Sequence, residues 1–394
     1  MKKVQYVILS GLLFVTTTTL LAQSEIPREL NPVYTGVPSL SIAPDARGGG
    51  MGDIGVATSP DMSSQYWNPA KTAFAWSKAG VELSYTPWLR KLVSDIDLVY
   101  LSGYYKLGED DRQAIGASVR YFSLGEVVLS GPEAGSFAGT INPYEMALDL
   151  SYSIKLSETF SGAVAFRYIR SDLGSGLDET SDAGNAYAAD IAGYYNKYVM
   201  MGSSECLLGL GFNISNIGTK ISYDGGTINH FIPTNLRIGG SLLMPLDDYN
   251  ALTLSLDANK LLVPTPPVAP EGNVSDPEYV QALEDYKNTS SISGIFKSFS
   301  DAPRGMSEEF EEIMWSLGGE YAYKEQFFVR GGYFYENKNK GNRQYFSLGA
   351  GFKMNVFQLD VAYLMATAAS NPLDQTLRFS LTFDMDGIRG LVNR

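Results

Sequence analysis

The sequence of 394 residues has a single cysteine, Cys206, and a single histidine, His230. Cys206 alone excludes a disulfide scaffold, and His230 alone excludes a multi-histidine metal site. Positive charge is scarce too. The 30 Lys and Arg stand against 43 Asp and Glu, a formal net charge of -13, so no diffuse positive field exists to gather nucleic-acid phosphates. No apolar run beyond the N-terminal segment is long enough for a transmembrane helix, which needs about 20 residues. What the chain does have is 25 Tyr, 19 Phe and 40 Gly, a mixture that suits strands and tight turns better than helices.

Lys2 and Lys3 precede an apolar run from Tyr6 to Val15, and Leu20, Leu21 and Ala22 close the segment before polar Gln23 and Ser24. This is the pattern of a secretory signal peptide over residues 1–22, cleaved after Ala22. The alternative, an uncleaved anchor helix, has too short an uninterrupted apolar stretch. The expected mature protein is exported.

From about Gly80 to Met385 apolar residues alternate with small or polar ones, the period of a strand. Leu377, Phe379, Leu381, Phe383 and Met385 share one face and Arg378, Ser380, Thr382 and Asp384 the other. Leu252, Leu254 and Leu256 likewise oppose Thr253, Ser255 and Asp257. About fourteen such segments are expected, starting near Gly80, Asp95, Arg112, Pro143, Thr159, Asn185, Ser204, Thr234, Asn250, Glu312, Gln326, Asn342, Val356 and Asp374. Gaps after every second segment are short, at 108–111, 156–158, 199–203, 247–249, 324–325 and 354–355; most of the others are long. An even strand count with short turns at one end and long loops at the other is the plan of an outer-membrane barrel.

A half-buried soluble sheet also alternates. Its polar face, however, carries many lysines and glutamates, whereas here that face is rich in Gly, Ser and Ala with isolated charges of both signs. Arg120, Arg167, Arg237, Arg330 and Arg378 fall on it with Asp149, Asp190, Asp257, Glu320, Asp360 and Asp384, where opposite charges can pair across an enclosed lumen. Tyr144, Tyr152, Tyr187, Tyr195, Trp315, Tyr321, Tyr323, Tyr333, Tyr335 and Phe352 sit near segment ends on the apolar face, as interface girdles require. The expected fold is therefore all-β, a transmembrane antiparallel β-barrel over residues 80–394, preceded by an extension over 23–79.

The largest loop, 260–311, has a proline-rich lead-in followed by Tyr279, Leu283 and Tyr286 at helical spacing, then Ile295, Phe296 and Phe299. One or two short amphipathic helices are expected there, on an outside loop suited to a partner. Gly50, Gly52 and Gly55 match the dinucleotide fingerprint letter for letter, but no strand precedes them, and Pro60 and Pro69 deny them a βαβ unit. His230 has no second histidine or evident triad. No cofactor, metal or catalytic group is expected.

One stretch carries a resemblance. Ala43-Pro44-Asp45-Ala46-Arg47, then Gly50-Met51-Gly52-Asp53 and Gly55, followed by Trp67-Asn68-Pro69-Ala70, closely resembles the start of the PorV family, outer-membrane barrels of the type IX secretion system related to the FadL fatty-acid transporters. The resemblance implies a FadL-like barrel of fourteen strands whose N-terminal segment folds inside it as a hatch, with Asn68-Pro69 as the turn that ends the hatch. It implies no enzymatic activity. Its implied role is an adaptor beside the SprA translocon, which receives cargo by a C-terminal signal domain and passes it to the PorU sortase at the cell surface; SprA, PorU, secreted cargo and outer-membrane lipid are the implied partners. The alternative role is a FadL-like transporter of hydrophobic small molecules. One departure is that residues 386–394 extend past the aromatic end of the last strand.

Overall fold

Strands that alternate apolar and polar residues expose unpaired backbone at each sheet edge, and in hydrocarbon each unpaired group is costly, so the sheet has to close. The computed structural model describes residues 30–90, 93, 95–130, 137–175, 181–367 and 373–385. Residues 1–22, where a signal peptide is expected, lie outside the described residues, as do 23–29 and 386–394. The wall opens with β1 (Ala79–Pro87), β2 (Asp97–Leu107) and β3 (Gln113–Ser123). A separate two-stranded hairpin follows, β4 (Val127–Ser130) and β5 (Phe137–Ile141). The wall continues with β6 (Tyr144–Lys155), β7 (Phe160–Asp172), β8 (Gly184–Met201), β9 (Ser204–Gly218), β10 (Asn235–Pro245) and β11 (Asn250–Leu261). It is completed by β12 (Met314–Tyr323), β13 (Phe327–Tyr335), β14 (Gln344–Lys353), β15 (Phe357–Ala366) and β16 (Leu377–Asp384).

Each wall strand pairs with its neighbours in sequence order, and β16 returns to β1, from Gly80 opposite Asp384 to Tyr85 opposite Phe379. The barrel is thus closed, antiparallel and fourteen-stranded. Every expected strand start lies within three residues of an observed one, the widest difference being Asp374 against Leu377. Connections after β2, β6, β8, β10, β12 and β14 span two to five residues, and the others run from eight residues, 336–343, to the long insertion 262–313.

The two faces settle what surrounds the wall. Leu254 and Leu256 are 49% and 48% exposed, while Ser255 and Asp257 between and beside them are 4% and 0% exposed. This inverts the order of a soluble protein and suits a lipid solvent. Tyr152, Tyr187, Trp315, Tyr321, Tyr323, Tyr335 and Phe352 are exposed on the outer face, whereas Arg120, Arg167, Arg237, Arg330 and Arg378 are all buried inside. Among the described residues no helix is long and apolar enough to cross a membrane. The hairpin of β4 and β5 was not expected, because four or five residues give too short a run for alternation to register.

Candidate functional site

The N-terminal segment travels the length of the lumen. Asn31 donates its amide to the Asn339 carbonyl at 3.0 Å, and Gly36 donates to Phe231 at 2.8 Å, so the described residues begin among the long connections. Val37 and Leu40 then pack against Ile169, Ile221 and Ile232. At the far end the Lys78 carbonyl accepts from Lys106 at 2.8 Å, and Lys78 Nζ reaches Asp111, in the short connection between β2 and β3, at 2.7 Å. Only there does β1 begin.

The family-like residues meet in this segment. Asp45 caps the short helix Ala46–Gly49: its Oδ2 accepts from the Gly48 amide at 2.6 Å and its Oδ1 from the Trp67 indole at 2.6 Å. The Trp67 ring thereby packs on Gly48, where a Cβ would stand 2.6 Å from it, and on Gly55 as well. Ala43 and Pro44 are buried just ahead, and the Ala46 amide donates to Ser380 on β16 at 2.9 Å. Gly50 lies against Gly349 of β14, and the Met51 carbonyl lies where a Cβ on Gly318 or Gly332 would be. Gly52 has φ +81°, with the Tyr333 backbone 2.8 Å from where its Cβ would stand, so neither the dihedral nor the space admits another residue. Asp53 accepts from Tyr345 at 2.5 Å and pairs with Arg378.

Two peptide groups, Gly55 and Val56, donate to Asp257 Oδ2 at 3.0 and 3.1 Å. Asn68 Nδ2 donates to the Val56 and Gly193 carbonyls at 2.9 and 3.0 Å, while its Oδ1 accepts from Ala70. Pro69 opens a 3-10 helix, Pro69–Phe74, and Ser161 donates to the Ala70 carbonyl at 2.7 Å. Asn68-Pro69 is therefore not the end of the hatch but the cap of a further turn, because the side chain of Asn68 satisfies the first amide of a helix that Pro69 can begin.

Charge ties the segment to the wall. Arg47 is held between Glu320, at 3.0 Å, and Asp61, at 2.8 Å. Glu320 also takes Arg330 at 2.6 Å, and Arg330 continues to Asp360 at 2.6 Å. Arg120 donates to the Ser39 and Ile42 carbonyls at 2.6 and 2.9 Å, and wholly buried Lys71 donates to the Gly55 carbonyl at 2.7 Å. This arrangement binds the backbone of the segment to the wall. Among the described residues no group of His, Cys, Asp or Glu is placed to hold a metal ion. Sequence reasoning missed the wall glycines Gly211, Gly318 and Gly332, whose missing Cβ atoms admit the hatch backbone. Their signal was glycine on the inward register of mid-strand positions, which marks a close backbone approach.

The insertion 262–313 carries a 3-10 turn, Pro270–Gly272, and three α-helices, Pro277–Asn288, Ser291–Lys297 and Met306–Glu311. Its root is a buried knot: Lys260 pairs with Glu309 at 2.9 Å and Glu312 at 2.5 Å, and Lys340 pairs with Glu308 at 2.5 Å and Glu312 at 2.9 Å. Burial pushes the Glu308 carboxyl up, but its hydrogen bonds from Lys340 and the Arg304 amide outweigh that and hold it below the usual range. Burial, then repulsion from Glu309 and Glu312, pushes Asp301 up to about 6. The expected partner stripe divides. Tyr279, Leu283 and Tyr286 are half-buried, with the Tyr286 ring 5.6 Å from Phe231 of the barrel's own 219–234 connection. Ile295 is half-buried too, while Phe296 is 73% and Phe299 46% exposed, and Ile292, Met306 and Phe310 are exposed as well.

Residues 26–268, more than half of the sequence, match the family model described as Type IX secretion system protein PorV. No curated protein matches the sequence. Similar solved structures include the Pseudomonas putida toluene transporter TodX, at 11% identity and TM-score 0.49, with 90% of this chain and 99% of that one covered. A Pseudomonas aeruginosa FadL homologue is similar at 13% identity and TM-score 0.44, over 90% and 99% of the two chains. The Ralstonia pickettii toluene transporter TbuX follows at 12% identity and TM-score 0.41, over 87% and 96%.

Proposed function

The chain belongs to the PorV family of the type IX secretion system, and from that premise we propose that it is a non-enzymatic outer-membrane adaptor. In this reading it docks beside an SprA-type translocon, receives cargo by a C-terminal signal domain, and hands the cargo to a PorU-type sortase. Export through a signal peptide over 1–22, a hatch over 23–79 and a barrel over 80–394 belong to the same reading. The observation that carries it is the combination of a hatch fastened to the lumen wall by ion pairs and hydrogen bonds and an insertion that leaves Ile292, Phe296 and Phe299 exposed. A wall this filled offers binding surface at its long-loop end rather than a route through it, so recognition without bond chemistry fits it better than passage of a hydrophobic solute.

The half-buried position of Tyr279, Leu283 and Tyr286 supports a support role for them and leaves Phe296 and Phe299 as the contact candidates. The test is to replace residues 273–300 by a short Gly-Ser linker, keeping the 301–313 root. Copurification of a type IX cargo signal domain is expected to fall at least tenfold while the barrel keeps its heat-modifiable gel mobility. Undiminished copurification refutes the loop assignment, and reconstituted uptake of a fatty acid by the intact protein favours the transporter instead.

A further inference from the structure

At the short-turn end, the periplasmic end of an outer-membrane barrel, one hairpin outgrows the wall. β7 faces β8 as far as Phe160 opposite Tyr195, and the Asn196 amide donates to the Thr159 carbonyl at 2.8 Å just beyond. β8 nevertheless continues to Met201, paired on its other side with β9 from Lys197 opposite Leu208 to Met201 opposite Ser204, and Gly202-Ser203 close the turn. β10 in turn stops facing β9 at Leu243 opposite Leu207. Residues 197–206 therefore stand beyond both neighbouring strands. At the other five short connections no strand runs more than two residues past a neighbour. The projecting arms are apolar, with Tyr198, Met200 and Met201 53%, 67% and 52% exposed. The turns on either side carry Ser157, Glu158 and Thr159, and Asp247 and Asp248, so the wall already meets water at their level and the hairpin extends past it.

Successive residues of an antiparallel strand turn their N–H and C=O to opposite neighbours. Asn196 turns its N–H to the β7 side, so Lys197, Val199 and Met201 face β9, while Tyr198 and Met200 turn both backbone groups to an edge where no strand lies. Edges are ordinarily blunted by proline, a bulge or charge, and Lys197 is the one such device on this arm. The complement of that row is the alternating donors and acceptors of another extended backbone; acyl chains have none, and a helix spends its own internally. A second copy in the same membrane would bring the identical edge on a strand running the same way, Tyr198 toward Tyr198, and in a parallel pair residues facing each other cannot both point inward. We propose that the β8 edge at Tyr198 and Met200 receives an extended segment of a different, periplasmic polypeptide, added as an extra strand in line with β7. The exposed side chains of Tyr198 and Met200 supply apolar contact beside it. This surface lies at the end opposite the long connections, and the inference stands independently of the adaptor reading.

The test titrates the full-length protein in detergent with the strand-forming peptide N-acetyl-Thr-Val-Thr-Val-Thr amide and with the same peptide N-methylated at every residue. The unmethylated peptide is expected to bind at least tenfold more tightly and to slow hydrogen exchange of the Tyr198 and Met200 amides at least tenfold. Met200→Pro removes a donor from the free edge and spares the ladder to β9, a place where a strand tolerates proline. It should lose at least tenfold in affinity with wild-type heat-modifiable mobility, while Met200→Ala, which keeps the donor, loses less. Cys206 is buried, so Met200→Cys supplies the accessible thiol for a polarity-sensitive dye in phosphatidylcholine vesicles. The dye should report water until the peptide is added. An apolar setting before any peptide places the hairpin in lipid, and a disulfide-linked dimer of the unlabelled variant makes the edge a contact between copies; either overturns the proposal. So do absent binding, equal binding of the N-methylated peptide, or Met200→Pro binding as tightly as wild type.

Discussion

Residues 31–78 and residues 262–313 are both long, strand-free and rich in proline, yet the first lies mostly buried inside the wall and the second is held at its root. The hatch spreads its fixings. Ser380 of β16, Glu320 of β12, Ser347 of β14, Asp257 of β11, Asn213 of β9 and Ser161 of β7 each take or give a hydrogen bond to it. The insertion concentrates its fixings in one knot of two lysines and three glutamates, and beyond that knot its helices turn one side to the barrel and leave apolar side chains outside. The comparison teaches that buried charge serves two purposes here. In the lumen it integrates a segment with the whole barrel; at the mouth it anchors a segment whose remainder keeps apolar side chains exposed.

The hardest test of that contrast is Glu320→Ala. It removes the carboxylate shared by Arg47 and Arg330 inside the lumen, and breaking a buried ion pair from one side costs about 3–5 kcal/mol. The temperature at which the compact gel form converts to the unfolded form is expected to drop sharply. An unchanged conversion temperature means the hatch is not fastened to the wall by these charges.

Next in size is a pair of changes on the two faces of the wall. Leu254→Arg puts a charge against the lipid at a cost of roughly 2–4 kcal/mol, while Leu254→Phe is tolerated because hydrocarbon reads polarity and not shape. Inside, shape governs: Gly332→Val adds only apolar atoms, but they fall on the Met51 carbonyl, so the hatch has to shift. Thermal conversion of the three variants, with Leu254→Phe alone resembling wild type, is the expected outcome.

These lumen tests also show why one part of the structure was legible from sequence and another was not. Alternation is a local property, so Leu254, Ser255 and Leu256 announced their faces, and all fourteen wall strands followed. The hatch motif was legible as a resemblance, but its fastenings were not. Arg47 meets Glu320 across 273 residues of sequence, and the Gly55 amide meets Asp257 across 202. No period connects such positions. Inward glycines such as Gly318 and Gly332 held a readable hint, since strand interiors disfavour glycine unless another backbone comes close. In the insertion, helical spacing correctly grouped Tyr279, Leu283 and Tyr286, but the same spacing describes a helix face turned to its own protein or to a partner, and only Phe231 beside Tyr286 decides which.

At the mouth, Lys340→Ala should act locally. It strips Glu308 and Glu312 of a shared cation, a loss of about 1.5–3 kcal/mol for hydrogen bonds to charged groups. Limited proteolysis within residues 273–300 is expected to speed up severalfold, with the heat conversion of the barrel unchanged. Should the barrel soften as much as it does in Glu320→Ala, the mouth and the lumen are one cooperative unit and the contrast between them dissolves.

The finest probe of the root is its pH dependence, which has two limbs. Asp301 has a folded pKa of about 6, above its unfolded value, so its contribution is full below the unfolded value and fades as pH rises through 6. Glu308 is shifted the other way, so its contribution is present above its unfolded value and is lost as pH falls through the lower folded one. Together they place the firmest root near pH 5. Because Asp301 is only half-buried, solvent screening trims its share, and amide exchange over 262–313, corrected for intrinsic rates, should accelerate only about threefold from pH 5 to pH 7. Asp301→Asn removes the titrating group and should flatten that upper limb, leaving the acid limb and the exchange of the hatch untouched. An upper limb that persists in the variant assigns the pH response to another group and separates the softness of the root from its excess of carboxylates.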